Sequence, residues 1–252
     1  GIAKAGGKPI FGVCSSFLQR AYDQISQDLC INNNPATILV TTGSLTSMTD
    51  VTHLCHFDIP LLSGIPNLIY LAPTNKEEYL AMLDWSIDYK EHPVAIRVPV
   101  GKTISANRKV ERDFSNLNKY ETVLEGEDVA ILALGNFFSL GECVAQELEA
   151  KHIHATLINP RYISGIDTQL MEALKSNHRL VVTLEDGALD GGFGEKIARY
   201  FGPSQMKVAC YGGKKQFVDR FNPKEYLESN RLRSDLITFD ILKLLNKYYL
   251  NH

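Results

Sequence analysis

The residues best suited to chemistry gather in the run Ser15-Ser16-Phe17-Leu18-Gln19-Arg20-Ala21-Tyr22-Asp23-Gln24, directly after the apolar segment Pro9-Ile10-Phe11-Gly12-Val13. A buried strand feeding a helix puts Phe17 at the carboxyl edge of a sheet, where open α/β sheets bind ligands. An aromatic ring there can stack on a flat heterocycle, and Arg20, one turn on, can meet an anion. The same pattern suits a core phenylalanine, and the residues alone leave both readings open. His53-Leu54-Cys55-His56 offers metal-capable side chains, but no second cluster completes a tetrahedral set, so no metal ligand is assigned. Asp190-Gly191-Gly192-Phe193-Gly194 before a helix can cradle an anion on its amides, and tight turning explains its glycines equally well. The pair Glu185-Asp186 can serve as a general base or simply order that loop.

Two alternating blocks must position these residues. The first places strands at 9–13, 36–42, 67–71 and 94–98, with helices over 17–29 and from 74 to about 89. Thr74 followed by Glu77 reads as a capping box for that second helix. Residues from about 101 to 128 lose the pattern and read as a linker, with a short strand near 120–124. The second block places strands at 129–134, 155–158, 180–184 and 208–211. Its helices fall at 140–151, 168–176, 194–201 and 235–249. Strands alternating with helices of this length predict an α/β protein whose sheets are mostly parallel and flanked by helices. Two domains are expected: 1–118, with the linker inside it from about 101, and 119–252.

Composition narrows the function classes. The chain has 252 residues, 44% hydrophobic and 22% charged, with a formal net charge of -3. That charge and the scatter of its cations give no reason to expect a nucleic-acid or anionic-membrane partner. Five cysteines without a C-x-x-C spacing argue against a disulfide framework or zinc ribbon and fit a reducing, cytoplasmic setting. No apolar run approaches the ~18–20 residues that span a bilayer. The opening Gly1-Ile2-Ala3-Lys4-Ala5-Gly6-Gly7-Lys8-Pro9 reads as a helix end without its helix, so further sequence is expected before it.

The string F-L-Q-R-A-Y-D-Q at 17–24, after G-x-A-x-x-G-x-K-P at 1–9, resembles the pyrimidine-binding domain of thiamine diphosphate enzymes of the transketolase group. It is most similar to the 1-deoxy-D-xylulose-5-phosphate synthases. Thr52-His53 with Phe57-Asp58 matches their T-H-x-x-x-F-D run. Ile65-Pro66-Asn67, Ala72-Pro73-Thr74 and Ala95-Ile96-Arg97-Val98-Pro99 continue the likeness. Thr183-Leu184-Glu185 with Gly191-Gly192-Phe193-Gly194 resembles the motif of the transketolase C-terminal domain.

The resemblance implies a ketol transferase acting on a 2-keto donor such as pyruvate and an aldehyde acceptor. It implies that Phe17 stacks on the aminopyrimidine of thiamine diphosphate, and that Arg20 and His53 lie on the substrate side. His53 is the implied catalytic residue, moving a proton or holding a substrate oxygen through an imidazole that titrates near neutrality. Arg97 is the arginine retained from the family's R-x-P-R-G run and is a candidate substrate ligand. The chain departs from the synthases at Cys14, Thr42, Thr49 and Val100, where they carry Tyr, Arg, Asp and Arg. The two missing guanidinium groups put binding of a phosphorylated acceptor in question.

The family's activating carboxylate and its Mg2+-holding, diphosphate-binding domain precede the segment where this sequence begins. This chain is therefore expected to contact only the pyrimidine half of the cofactor, to bind no Mg2+, and to be inactive alone. A homodimer, or a complex with the diphosphate-binding part, is the expected assembly. Two alternatives stand beside this: a non-catalytic partner subunit of a split enzyme, and the β subunit of a 2-keto acid dehydrogenase.

Overall fold

The apolar runs pair into two separate sheets. In the computed structural model, which describes residues 1–101, 104–106 and 108–249, the first sheet contains β1 (Ile10–Cys14), β2 (Thr37–Thr41), β3 (Ile69–Leu71) and β4 (Val94–Arg97). Its order is β1-β2-β4-β3, and every pair is parallel. The second sheet contains β5 (Glu121–Leu124), β6 (Asp128–Ala133), β7 (Thr156–Asn159), β8 (His178–Ala188) and β9 (Lys207–Gly213). Its order is β5-β7-β6-β8-β9, parallel except for the antiparallel edge strand β5. Parallel neighbours need long crossovers, and helices Lys76–Asp88, Phe138–Glu149, Thr168–Leu174 and Phe193–Phe201 supply them. The expected α/β class with two mostly parallel, helix-flanked sheets is what the chain adopts.

Alternation in β6 shows how the second sheet is held. Ala130 and Leu132 face a cluster shared with the first sheet, through Tyr70, Ile96 and Met82. Val129, Ile131 and Ala133 face the opposite cluster, closed by Ile237, Ile241 and Leu245 of helix Ser234–Tyr249. Both faces are thus covered, as a parallel sheet requires. Of the expected linker, residues 102, 103 and 107 lie outside the described residues. The remainder is anchored: Phe114 is buried, the Ala106 amide donates to Glu77 Oε2 (2.7 Å), and Tyr162 donates to the Phe114 carbonyl (2.8 Å). Burying a side chain such as Phe114 contributes about 1.5–3 kcal/mol, enough to fasten a segment without regular structure.

Three local expectations are corrected. The helix predicted over 17–29 is a 3-10 turn (Ser15–Arg20), one α-turn (Tyr22–Gln24) and a π-helical turn (Ile25–Cys30). The helix at 76 is capped by Asn75, whose side chain accepts from the Glu78 amide (2.9 Å); Glu78 returns the bond from the Thr74 amide (2.7 Å). The box is therefore one residue further on than Thr74 and Glu77 suggest. Residues 1–6 form a turn that ends in the left-handed Gly6 (φ 84°) rather than a regular helix. Among the described residues, no helix is long and apolar enough to cross a membrane.

Candidate active site

The 3-10 turn after β1 decides what faces outward. In a 3-10 helix residues i and i+3 eclipse one another, so Phe17 and Arg20 share a side. Leu18 is fully buried and pins the turn to the core, while the Phe17 ring remains 43% exposed. Arg20 is exposed and makes no ion pair among the described residues. The loop before β3 brings in His53, whose ring meets Phe17 edge-on at 5.6 Å between centroids, with the planes at 79°. Phe17 and His53 thus meet near the carboxyl end of β1, and Arg20 closes the same 3-10 turn three positions after Phe17. Beside them a cavity of about 150 Å3 is lined by Ser16, Gln19, Thr52, Leu54, Phe57 and Phe217.

Hydrogen bonds set the tautomer of His53. Thr52 Oγ1 donates its only hydrogen to Asp50 Oδ1 (2.5 Å), so toward His53 Nδ1 (2.8 Å) that oxygen can only accept. Nδ1 therefore carries the hydrogen, and Nε2 presents a lone pair outward. Asp50 also accepts from the Thr52 amide at 2.9 Å. The hydroxyl and amide of Thr52 and then His53 hold the Asp50 carboxyl below its ordinary value. The sequence pattern signalled His53 but not Asp50, whose role depends on the turn Val51–His53 folding back onto it.

Arg97 is placed differently from the other three. Its guanidinium is buried and donates through Nε to Asp58 Oδ2 (2.7 Å) and through Nη2 to Asp58 Oδ1 (3.1 Å). Nη2 also donates to the Asp186 carbonyl (2.7 Å), across to the second sheet. Asp58 further accepts from Ser15 Oγ (3.1 Å) and from the Tyr70 hydroxyl. Burial works against the Arg97 cation, yet Asp58, Tyr70 and Asp186 together outweigh it and raise its pKa. Asp186 accepts from the Leu45 amide (2.9 Å) and from Asn136 Nδ2 (3.0 Å). Burial raises its pKa, while Arg97 and these donors pull the other way. This network ties the carboxyl ends of β2 and β4 to β8. Arg97 Nε and Nη2 are both engaged within this buried junction.

The glycine-rich motif proves to be occupied by the protein itself. Glu185 accepts from the Phe193 and Gly194 amides, each at 2.8 Å, at the start of helix Phe193–Phe201. A Cβ on Gly192 would stand 2.4 Å from Glu185 Oε2, and one on Gly194 2.6 Å from Thr183 Oγ1, so the glycines serve close approach. Burial pushes the Glu185 carboxyl up to about 8, against those two amides. One cluster carries no spacing signal. Thr42 Oγ1 lies 2.9 Å from Cys14 Sγ and 3.3 Å from Cys55 Sγ, next to the ends of β1 and β2.

Two mostly parallel sheets, the first carrying an exposed aromatic ring and an imidazole near the carboxyl end of its edge strand, resemble known proteins. The transketolase pyrimidine-binding domain matches residues 1–104, and the transketolase C-terminal domain matches residues 118–231. The chain belongs to the transketolase family and carries these two domains. Among curated proteins, it is 35% identical over 248 residues to the 1-deoxy-D-xylulose-5-phosphate synthase of Clostridium perfringens (strain SM101 / Type A). That match takes in 97% of this chain and 40% of the relative. The synthase of Alkaliphilus oremlandii is 36% identical, over 96% of this chain and 39% of its own length. The chain thus spans about 40% of the length of these relatives. Among solved structures, a split gene transketolase described as an inactive beta4 tetramer superposes with a TM-score of 0.82. Its identity is 23%, over 97% of this chain and 78% of that one. A Pichia stipitis transketolase mutant superposes at 0.74 with 15% identity, over 95% of this chain and 34% of that one. These two likenesses concern the fold.

Proposed function

We propose that this chain forms the aminopyrimidine side of a thiamine diphosphate site in a ketol-transferring enzyme similar to 1-deoxy-D-xylulose-5-phosphate synthase. The observation that carries the reading is Phe17, 43% exposed just after β1, with His53 in T-shaped contact at 5.6 Å. A core phenylalanine would not keep a face free; a stacking platform must. Bound thiamine diphosphate would supply the nucleophilic carbon that adds to a 2-keto donor such as pyruvate. His53 Nε2, its lone pair outward, accepts or returns a proton at a substrate oxygen, with Thr52 and Asp50 holding the ring. Arg20, unpaired and on the same side as Phe17, meets an anionic group of donor or acceptor. Arg97 serves this site from behind, by fixing Asp58 and β8 rather than by touching substrate. The diphosphate and Mg2+ would be held by residues outside these 252, as the greater length of the relatives supports. Thr42 offers only a neutral hydroxyl, 2.7 Å from the Thr41 carbonyl and 2.9 Å from Cys14 Sγ, which fits an acceptor that does not depend on a phosphate grip there.

Calorimetric titration with thiamine diphosphate and Mg2+ tests this in the complete enzyme. Phe17→Ala is expected to weaken binding roughly three- to tenfold, the stacking contribution of ~0.5–1.5 kcal/mol. Equal affinities for both forms would defeat the reading.

A second reading is supported by one further feature. The edge strand β1 leaves Ile10 and Phe11 exposed at 49% and 44%, and unpaired apolar edges invite partners. Together with the likeness to a split gene transketolase, this favours a subunit that pairs with a cofactor-bearing chain. Sedimentation with and without such a chain separates the two.

A further inference from the structure

Cys14 ends β1 and Cys55 follows His53 by two residues, so 41 positions separate them in sequence, yet their Sγ atoms lie 3.7 Å apart. A disulfide needs about 2.05 Å, so the side chains of half-buried Cys14 and buried Cys55 must turn toward each other to close the remaining gap. The two thiols are not equivalent. Burial disfavours the Cys14 thiolate, but Ser16 and Thr42 outweigh it and hold its pKa below the ordinary thiol value. Burial raises that of Cys55, as it does that of Cys210, and pushes Cys30 up to about 11. Cys14 therefore has the character of an attacking thiol, and Cys55 that of one that resolves. Thr42 between them adopts a left-handed backbone (φ 59°), rare for a β-branched residue, and its carbonyl accepts from the Ser47 hydroxyl. Strain of that kind persists where the surroundings enforce it.

We propose that Cys14 and Cys55 form a reversible dithiol–disulfide pair, oxidised by a low-molecular-weight disulfide, whose state is transmitted to the His53 loop. The Cys14 thiolate attacks one sulfur of the oxidant, the oxidant's S–S bond breaks, and the departing thiolate takes up a proton. Cys55, losing its own proton, attacks the Cys14 sulfur of this mixed disulfide and expels the second thiol. The protein gives up two hydrogens and two electrons, and the oxidant becomes two thiols. Transmission has a structural basis: Cys55 Sγ donates to the His53 carbonyl at 3.2 Å, and a disulfide sulfur has no hydrogen to donate. The pair rests on its own geometry and holds whether or not the cofactor reading does.

The test is peptide mapping of the native protein after exposure to oxidised glutathione, with acid quenching and alkylation of the remaining thiols. A Cys14–Cys55 cross-link that dithiothreitol removes is expected, with the loss of two free thiols. Cys55→Ser should instead retain glutathione on Cys14. If the exposed Cys143 is fully modified while Cys14 and Cys55 both remain free, or if wild-type Cys14 keeps its glutathione, the pair is refuted. The His53 imidazole resonances should move on oxidation of the wild type and stay fixed in Cys14→Ala treated alike. Resonances that do not move when the cross-link forms would overturn the coupling to His53. Because the wild type carries the decisive measurement, a poorly folding variant leaves the proposal open to refutation.

Discussion

His53 ends the turn Val51–His53 and Asp58, five positions on, opens helix Asp58–Leu62, and the protein treats them in opposite ways. The Asp58 side chain is 0% exposed and accepts hydrogen bonds from Ser15, Tyr70 and Arg97. The His53 side chain is 41% exposed and uses one ring nitrogen, leaving the other to whatever arrives. Saturated and buried, the first group is architecture: a charge cannot be left unpaired in that environment, so everything around it is fixed. Under-used and half-exposed, the second is available for chemistry. The contrast also separates the two arginines, Arg97 at the junction and Arg20 at the edge.

Breaking the buried side should have the largest effect. Asp58→Ala strands the Arg97 guanidinium and the Tyr70 hydroxyl, and truncating one partner of a buried pair costs ~3–5 kcal/mol. Urea unfolding should show a midpoint lowered accordingly, whereas Arg20→Ala should shift it by no more than ~0.5 kcal/mol. Similar losses for the two variants would erase the distinction drawn above.

Next in size is the pH dependence set by Glu185. Its folded pKa, about 8, lies above the unfolded value. The stability it contributes is therefore full below the unfolded pKa and is lost as pH rises through about 8. Lys196, which burial lowers to about 8, changes protonation only around and above that pH. The informative window is thus about pH 5 to 7. Burial holds His56 and His178 below the ordinary imidazole value, so both add stability with rising pH in the same window. The Glu185 contribution is therefore the difference between wild type and Glu185→Gln, which should fall with rising pH by on the order of a few kcal/mol in all once ionisation is complete. Glu185→Gln, which mimics the neutral acid, should remove that fall. An unchanged slope would mean that the two amides of the helix start keep Glu185 ionised throughout.

Phe17→Ala sharpens the other side of the comparison. A buried phenylalanine costs ~3–5 kcal/mol on truncation, but this ring is 43% exposed. Thermal stability should hardly change while cofactor affinity drops, and a collapse in melting temperature with unchanged affinity would return Phe17 to the core.

How much of this was legible in the sequence depends on what kind of signal each feature leaves. The run Val129–Leu134 reads as a buried strand because apolarity is local, and β6 lies there. β8 continues to Ala188, beyond the apolar run ending at Leu184, since Glu185 and Asp186 look like loop residues until their buried partners are known. Helix Asp58–Leu62 escapes detection because Pro60 interrupts it and its first residue is a charge buried by Tyr70 and Arg97. Helix Pro223–Ser229 is short, and its signal is confined to its start, where Asn222 accepts from the Lys224 and Glu225 amides and Pro223 takes the first turn. Phe17, Arg20 and His53 were legible as residue types, through family likeness. That Phe17 meets His53, that Arg97 faces inward, and that Cys14 approaches Cys55 follow from contacts between distant segments, which no local pattern encodes.

The smallest expected effect tests whether His53 is held for chemistry or merely packed. Thr52→Val keeps the shape of the side chain but removes the oxygen that accepts from Nδ1 and donates to Asp50. The site is exposed, so stability should change by no more than ~0.5 kcal/mol. What changes is the ring: without that acceptor, either nitrogen can carry the hydrogen, and part of the population presents an N–H where the lone pair of Nε2 is needed. A hydrogen bond of this kind contributes ~0.5–1.5 kcal/mol, so kcat in the complete enzyme should fall roughly two- to tenfold with KM little altered. The imidazole nitrogen shifts of the isolated chain should move toward a tautomer mixture even without substrate. If they stay at the Nδ1–H pattern, Thr52 does not set the tautomer, and Asp50, whose Oδ1 lies 3.7 Å from Nδ1, must be the acceptor that does. In that case Asp50→Ala, rather than Thr52→Val, should be the variant that shifts the imidazole signals. Measuring both variants on the same protein decides which neighbour aims the base.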